Sequence, residues 1–180
     1  LKHVRGGSEQ EARVKAQGLA EVMRSEDRLS IRMKESMLSN VGMAIIAYLP
    51  RDRKYSALFT TANGRIEITG LPCTAVAGQT PNGRVKLDDV DADKGTVRTS
   101  NGKVLLKTAA SEVHAHSSNG RVVLIPTSSE QHTRVRYDLT TSNGSVRIKS
   151  SADSDTGLDL DLKTTNGRIE IPDGYDLEYQ

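Results

Sequence analysis

Across residues 55–171, apolar and polar side chains alternate in short stretches that break at regular intervals. The stretches superpose when an Asn-Gly pair in each is set in register: TTANGRIEI, QTPNGRVKL, RTSNGKVLL, HSSNGRVVL, TTSNGSVRI and KTTNGRIEI, at spacings of 19, 19, 18, 24 and 23 residues. Two residues after each Gly stands Ile66, Val85, Val104, Val122, Val146 or Ile169, and two further on Ile68, Leu87, Leu106, Leu124, Ile148 or Ile171. Between these columns lie Glu67, Lys86, Leu105, Val123, Arg147 and Glu170, mostly polar, so the period is two and each segment reads as a half-buried strand. Upstream, a hydroxyl column (Thr61, Thr80, Thr99, Ser117, Thr141, Thr164) follows a mostly apolar one (Phe59, Gly78, Val97, Ala115, Leu139, Leu162). Each unit is therefore strand, Asn-Gly corner, strand and loop. The longer fourth and fifth spacings come from polar insertions at 127–132 and 151–155, which belong in loops.

Asn-Gly between alternating strands is also a strong hairpin signal, and a two-residue turn would put the same columns on one face. Six hairpins would make a meander or barrel; six stacked corners make a parallel β-solenoid. Three features favour the solenoid: a period of about 19 residues suits one coil, each corner keeps the same residues, and stacked Asn amides can bond from rung to rung. The expected fold is all-β, a right-handed parallel β-solenoid, the hand following the general rule for crossovers between parallel strands. The cost is that residues 65, 84, 103 and 121 stack four like charges at a spacing of about 4.8 Å unless they splay into water.

Before the repeats, Ser8-Glu9-Gln10-Glu11 has capping-box spacing and Ala12, Ala16, Leu19 and Ala20 follow a helical face, which predicts one short helix over 8–17. The segments 29–33 and 43–49 alternate as strands, and 1–4 reads as strand. One domain over 1–180 is expected: degenerate N-terminal coils over 1–50, six Asn-Gly coils over 51–171 and a C-terminal cap over 172–180. A chain beginning at Leu1 inside a strand-like tetrapeptide is expected to be trimmed from a longer protein.

Composition narrows the functional classes. With 25 Lys+Arg against 23 Asp+Glu the net charge is +2, so bulk charge does not direct the chain to nucleic acid or anionic membrane. Aromatics are 3% of residues and Trp is absent, which leaves an aliphatic core and no stacking platform. The single Cys73 excludes an intramolecular disulfide. The longest apolar run, 41–49, is far short of the roughly 20 residues that span a bilayer, and the N-terminus has no signal-peptide pattern.

The order MRSEDRLSIRMK, then LPRDRKYSALFTT, then ANGRIEITGL and recurring T-S-N-G-[RK]-V units resembles the adhesin family of bacterial and archaeal domains of unknown function, over about residues 1–171. The resemblance implies a β-helix-like solenoid, no established enzymatic activity, no cofactor and association with the cell envelope, hence an extracytoplasmic location and an envelope protein or glycan as partner. It offers no catalytic residues to transfer. This chain departs from the family by carrying Arg or Lys after Asn-Gly where members commonly have Asp.

On a solenoid, function sits on outward columns, because the inward ones are filled. The corners themselves, Asn63-Gly64, Asn82-Gly83, Asn101-Gly102, Asn119-Gly120, Asn143-Gly144 and Asn166-Gly167, are structural. Next to them Arg65, Arg84, Lys103, Arg121, Ser145 and Arg168 form a basic stripe about 25 Å long. It suits a polyanion such as an acidic glycan or teichoic-type polymer, and equally a solvated face that keeps strand edges soluble. The lack of interleaved aromatics and of a recognition helix argues against nucleic acid. His114 and His116 project from one strand face, with Asp138 one rung away beside His114 and Arg98 beside His116; the His pair with Asp138 is a candidate metal set, and Asp138 with Asp161 is a candidate carboxylate pair for glycan cleavage. Those residues carry the alternative of a polysaccharide-active β-helix enzyme. Residues 89–95 resemble the start of a calcium loop, but Gly95 falls at position seven and Ser100 at position twelve, so the segment reads as an acidic turn between coils. Leu105 and Val123 form an exposed apolar pair suited to a partner or another copy, or equally to a loop folded over them. The open C-terminal end, with Pro172, Tyr175 and Tyr179, is a candidate cap or a surface for end-to-end or side-by-side self-association.

Overall fold

The alternation predicted from sequence is realised as two stacks of parallel strands joined at the Asn-Gly corners. In this computed structural model the described residues are 2–4, 20–24, 29–33, 43–45, 49–127, 134–149 and 157–172, the first four segments as backbone only. The chain divides into two compact units, Leu1–Leu49 and Pro50–Gln180. In the first, β1 (Lys2–Val4) pairs antiparallel with β4 (Met43–Ile45), and β2 (Ala20–Arg24) pairs antiparallel with β3 (Leu29–Met33). These strands are not degenerate coils: every pairing in the repeat region is parallel, and an antiparallel partner cannot be a rung of the same stack. The helix predicted over 8–17 lies outside the described residues, as do 173–180 of the expected C-terminal cap.

In the second unit the strands leading into the corners are β5 (Tyr55–Thr60), β7 (Pro72–Thr80), the second half of β8 (Val85–Thr99), β10 (Glu112–Ser117), β12 (Arg134–Thr141) and β14 (Gly157–Thr164). They pair in that order, all parallel. Those leaving the corners are β6 (Ile66–Thr69), the first half of β8, β9 (Val104–Thr108), β11 (Val122–Pro126), β13 (Ser145–Ile148) and β15 (Arg168–Glu170), again parallel in order. The register matches the sequence columns: Val85 opposes Val104, Leu87 opposes Leu106, and Thr80 opposes Thr99. The polar insertions fall on the connections from β11 to β12 and from β13 to β14.

The inward columns are dry. Val85, Val104, Val122 and Val146 are all 0% exposed, whereas Ile169, on the last rung among the described residues, is 39% exposed. At roughly 1.5–3 kcal/mol for each fully buried aliphatic side chain, the inner rungs carry the stability of the stack. Among the described residues the largest fully buried side chain is Tyr137. Its hydroxyl donates to the Thr108 carbonyl at 3.2 Å, tying β12 to β9 in the opposite sheet, and burial pushes the phenol above its usual range. Cys73 is buried as well, its thiol pushed up to about 11 by desolvation.

The return corners explain the one-residue variation in spacing. Gly70 and Asp89 occupy equivalent places in successive coils and have left-handed φ of 57° and 56°. The register runs Asp88 to Lys107 but Val90 to Thr108, so Asp89 is a bulged residue with no counterpart in the 18-residue coil. The segment 89–95 is therefore not a loop. Asp89 alone makes the corner, and Val90 onward continues as strand within β8.

No glycine of the Asn-Gly pairs has a left-handed φ, which excludes the hairpin turn that needs one. The glycines are there for space. A Cβ on Gly102 would lie 1.6 Å from the Gly83 carbonyl oxygen, and those on Gly83, Gly120, Gly144 and Gly167 would meet the preceding rung in the same way. On the first rung a Cβ at Gly64 meets only the Thr61 side chain, at 3.3 Å. Gly102→Ala is accordingly expected to destabilise the domain by about 3 kcal/mol or more, and Gly64→Ala by less than about 1 kcal/mol, measured by urea unfolding. Equal effects at the two positions would refute the stacking argument.

Candidate functional site

The corner face is organised by two rows of hydrogen bonds between rungs. Each Asn Nδ2 donates to the Oδ1 of the Asn one rung earlier, at 3.0 Å (Asn82 to Asn63), 2.9 Å (Asn101 to Asn82), 2.9 Å (Asn119 to Asn101), 2.9 Å (Asn143 to Asn119) and 3.0 Å (Asn166 to Asn143). Beneath them the hydroxyl column caps the glycine carbonyls of the preceding rung: Thr99 donates to Gly83 at 3.2 Å, Ser117 to Gly102 at 3.0 Å, Thr141 to Gly120 at 3.0 Å and Thr164 to Gly144 at 3.3 Å. Thr80, buried in the same column, has no partner for its hydroxyl among the described residues. A ladder of this kind fixes the rung spacing at the corner, and with it the spacing of every side chain that follows.

The basic stripe stands directly after this ladder, and its members do not have equal partners. Arg65 is ion-paired with Glu67, which also takes Lys86 at 3.2 Å; Lys86 donates to Asp88 at 2.6 Å, and Lys107 lies 3.7 Å from Asp88. This network crosses three coils. The Lys86 ammonium holds the Glu67 and Asp88 carboxyls below their usual range, and Asp88 with Glu67 raises Lys86 in turn. Arg84, Lys103 and Arg168 have no side-chain partner among the described residues, and Arg121 Nε donates to Ser145 Oγ at 3.1 Å.

On the other sheet, His114 stands opposite Asp138, and Asp138 opposite Asp161. His114 Nδ1 is 3.3 Å from Asp138 Oδ2 and its Nε2 is 3.4 Å from Glu112 Oε1. Asp138 also accepts from the Thr140 hydroxyl at 3.3 Å, while Asp161 pairs with Lys163 at 2.8 Å and holds that ammonium above its usual range. His116 opposes Arg98, as the alignment predicted, and turns toward Ser118 at 3.5 Å. The two imidazoles therefore have separate partners. Among the described residues no group of three or more His, Cys, Asp or Glu is arranged to hold a metal ion.

The apolar pair differs from expectation. Leu105 is half-buried and Val123 is 3% exposed, so Val123 is core rather than an exposed contact. Its column neighbours are Leu105 on one side and Arg147 on the other. The Arg147 Nε is itself buried and its guanidinium turns to Glu170, so the arginine stem lies along the aliphatic patch.

A family model described as Toastrack DUF4097 matches residues 53–172, which is 120 of the 180 residues and spans the whole repeat region. The chain belongs to this family. No curated protein and no solved structure matches it. The Toastrack description specifies a domain of unknown function and no adhesive role. Among the described residues of this Toastrack chain, no helix is long and apolar enough to cross a membrane.

Two features of the Toastrack corner face were not singled out from sequence. Asp88 joins the Arg65–Glu67–Lys86 network because it stands two residues from Lys86 on one strand, a spacing that was visible. Ser145 interrupts the basic column, and around it opens a notch flanked by Arg121 and Arg168. The ion network also gives a pH dependence. Because Glu67 and Asp88 are held below their ordinary values, their contribution is present above the usual carboxylate range and is lost as the pH falls through their folded values. These groups are partly solvated, so the effect is small. Thermal melts of wild type and Lys86→Met between about pH 6 and pH 2 are expected to show a shallower acid loss in the variant; parallel curves would remove Lys86 from the account.

Proposed function

We propose that the domain is a non-catalytic recognition or scaffold module of the cell envelope, with the outward columns of the coil as its binding face. The observation that carries this reading is the column of cations at the corners: Arg84, Lys103 and Arg168 have no side-chain partner among the described residues, and the Asn ladder beneath them sets a constant rise of about 4.8 Å per rung. Cations repeated at fixed spacing on a stiff support match a partner whose own groups repeat, and lose little conformational entropy on binding. An acidic envelope glycan or polymer is the corresponding ligand class. The inward columns are filled with aliphatic side chains, so recognition falls to the surface rather than to a cavity inside the coil.

A second reading, a polysaccharide-active enzyme, draws on one observation: Asp138 and Asp161 are direct neighbours in adjacent rungs, with His114 on Asp138. Adjacent rungs put two carboxylates within the range of about 5–10 Å used by glycoside hydrolases. Both carboxylates are already engaged, by His114 and Thr140 and by Lys163.

The two readings separate in one experiment. The purified chain is incubated with acidic and neutral envelope polysaccharides, and both retention and product formation are followed. Binding to acidic polymers that weakens with salt, is reduced by Arg84→Ser with Lys103→Ser and is unchanged in Asp138→Asn, without product, is the expected outcome. Release of reducing ends or unsaturated products that disappears in Asp138→Asn would establish the enzyme and sink the recognition reading.

A further inference from the structure

The six corners are chemically equivalent except at one rung. Where five coils place a long cationic side chain after Asn-Gly, the fifth places Ser145, and the missing side chain leaves an open notch of about 540 Å³ lined by Arg121, Asn143, Ser145, Asn166, Arg168 and Glu170. Arg121 and Arg168 stand two rungs apart, about 9.6 Å between backbones, so that their guanidinium groups flank the gap from opposite sides.

The donors that face this gap are largely unspent. Arg121 commits its Nε to Ser145 Oγ and keeps its terminal nitrogens. Because Ser145 Oγ accepts that bond, its own hydroxyl proton remains available to donate. Asn143 and Asn166 each use one amide proton on the ladder and retain the second. The one acid in the lining, Glu170, is paired with Arg147, whose positive charge offsets part of its repulsion toward an anion.

We infer that the Ser145 notch is a binding site for a single tetrahedral oxyanion, a phosphate or sulfate group, gripped between Arg121 and Arg168 and oriented by the Ser145 hydroxyl. Donors arriving from opposite sides and from below suit oxygens that point in several directions; a planar carboxylate presents its two in one plane. The inference rests on the reading of the outward columns as the binding face and assigns that face one preferred anchoring point, where a polymer-borne group and a free ion would share the same chemistry.

The test is titration of the ¹⁵N-labelled full chain with inorganic phosphate and with sulfate, followed through the backbone amides of 143–145 and 166–168 and the Nε–H signals of the arginines. Saturable shifts centred on Arg121, Ser145 and Arg168 are expected. Arg121→Ser or Arg168→Ser is expected to weaken binding about tenfold or more, and Arg53→Ser, at an exposed arginine outside the stripe, to leave it unchanged. The decisive variant is Ser145→Arg, which restores the side chain that four other corners carry and so is compatible with the fold. It adds positive charge yet fills the notch, and is expected to abolish the saturable site. If Ser145→Arg binds these ions as well as or better than wild type, or if the shifts spread evenly along the stripe, the notch is not a site and only the general stripe remains. Absence of any saturable shift likewise overturns the notch, without bearing on polysaccharide retention. A parallel titration with a poly(glycerol phosphate) distinguishes sources: tighter binding per phosphate than the free ion, lost in Ser145→Arg, assigns the site to a polymer, and equal binding assigns it to the free ion.

Discussion

The fold depends on how closely successive corners approach one another. A glycine carbonyl of one rung occupies the space that a Cβ of the next glycine would need, and at Gly83, Gly102, Gly120 and Gly144 that carbonyl accepts from the Thr or Ser hydroxyl of the following coil. Residue choice at three columns thus answers a single steric and hydrogen-bonding demand. Asn supplies a donor and an acceptor along the stack axis, Gly supplies the absence of a side chain, and the hydroxyl donates to the carbonyl that the close approach brings against it. The aliphatic columns contribute most of the stabilising area, but their register follows from the corner: a slip by one residue would turn every one of them to solvent.

A rigid corner has consequences on the outside. Side chains after it are carried at the same rise as the backbone, so a near-neutral chain is far from neutral on one face. Where opposite charges are within reach, the structure pairs them, as in the Arg65–Glu67–Lys86–Asp88 network. Where they are not, the cations stay in water, and where the column is interrupted at Ser145 a concavity appears on an otherwise convex ridge. The character of this face arises from repetition and from the points where repetition fails.

Much of this was legible in the sequence because repetition multiplies weak signals. One Asn-Gly pair is ambiguous between hairpin and corner; six pairs with the same columns on either side read as a stack, and the register His114–Asp138 and His116–Arg98 followed directly. Other features were hidden for specific reasons. The steric role of glycine looks the same in sequence as a need for left-handed φ. The bulge at Asp89 appears only as one extra residue in a coil, within a run whose acidic character drew attention to calcium instead. Val123 looked exposed because most of its column is charged, and its burial beside Leu105 and Arg147 shows only in the structure. The first 49 residues have no repeat to average over, and there the expectation of degenerate coils failed against antiparallel pairing.

The central claim is that Asn-Gly corners touch their counterparts in neighbouring coils rather than closing hairpins within one coil. Nuclear Overhauser contacts from the Asn101 side-chain amide address it directly. The stacked corner predicts contacts to the Asn82 and Asn119 side chains, 19 and 18 residues away, and to no strand-to-strand pair across the Asn101-Gly102 turn. Contacts between Thr99 and Val104 of the kind found in a two-residue hairpin, with none linking the asparagines, would contradict it.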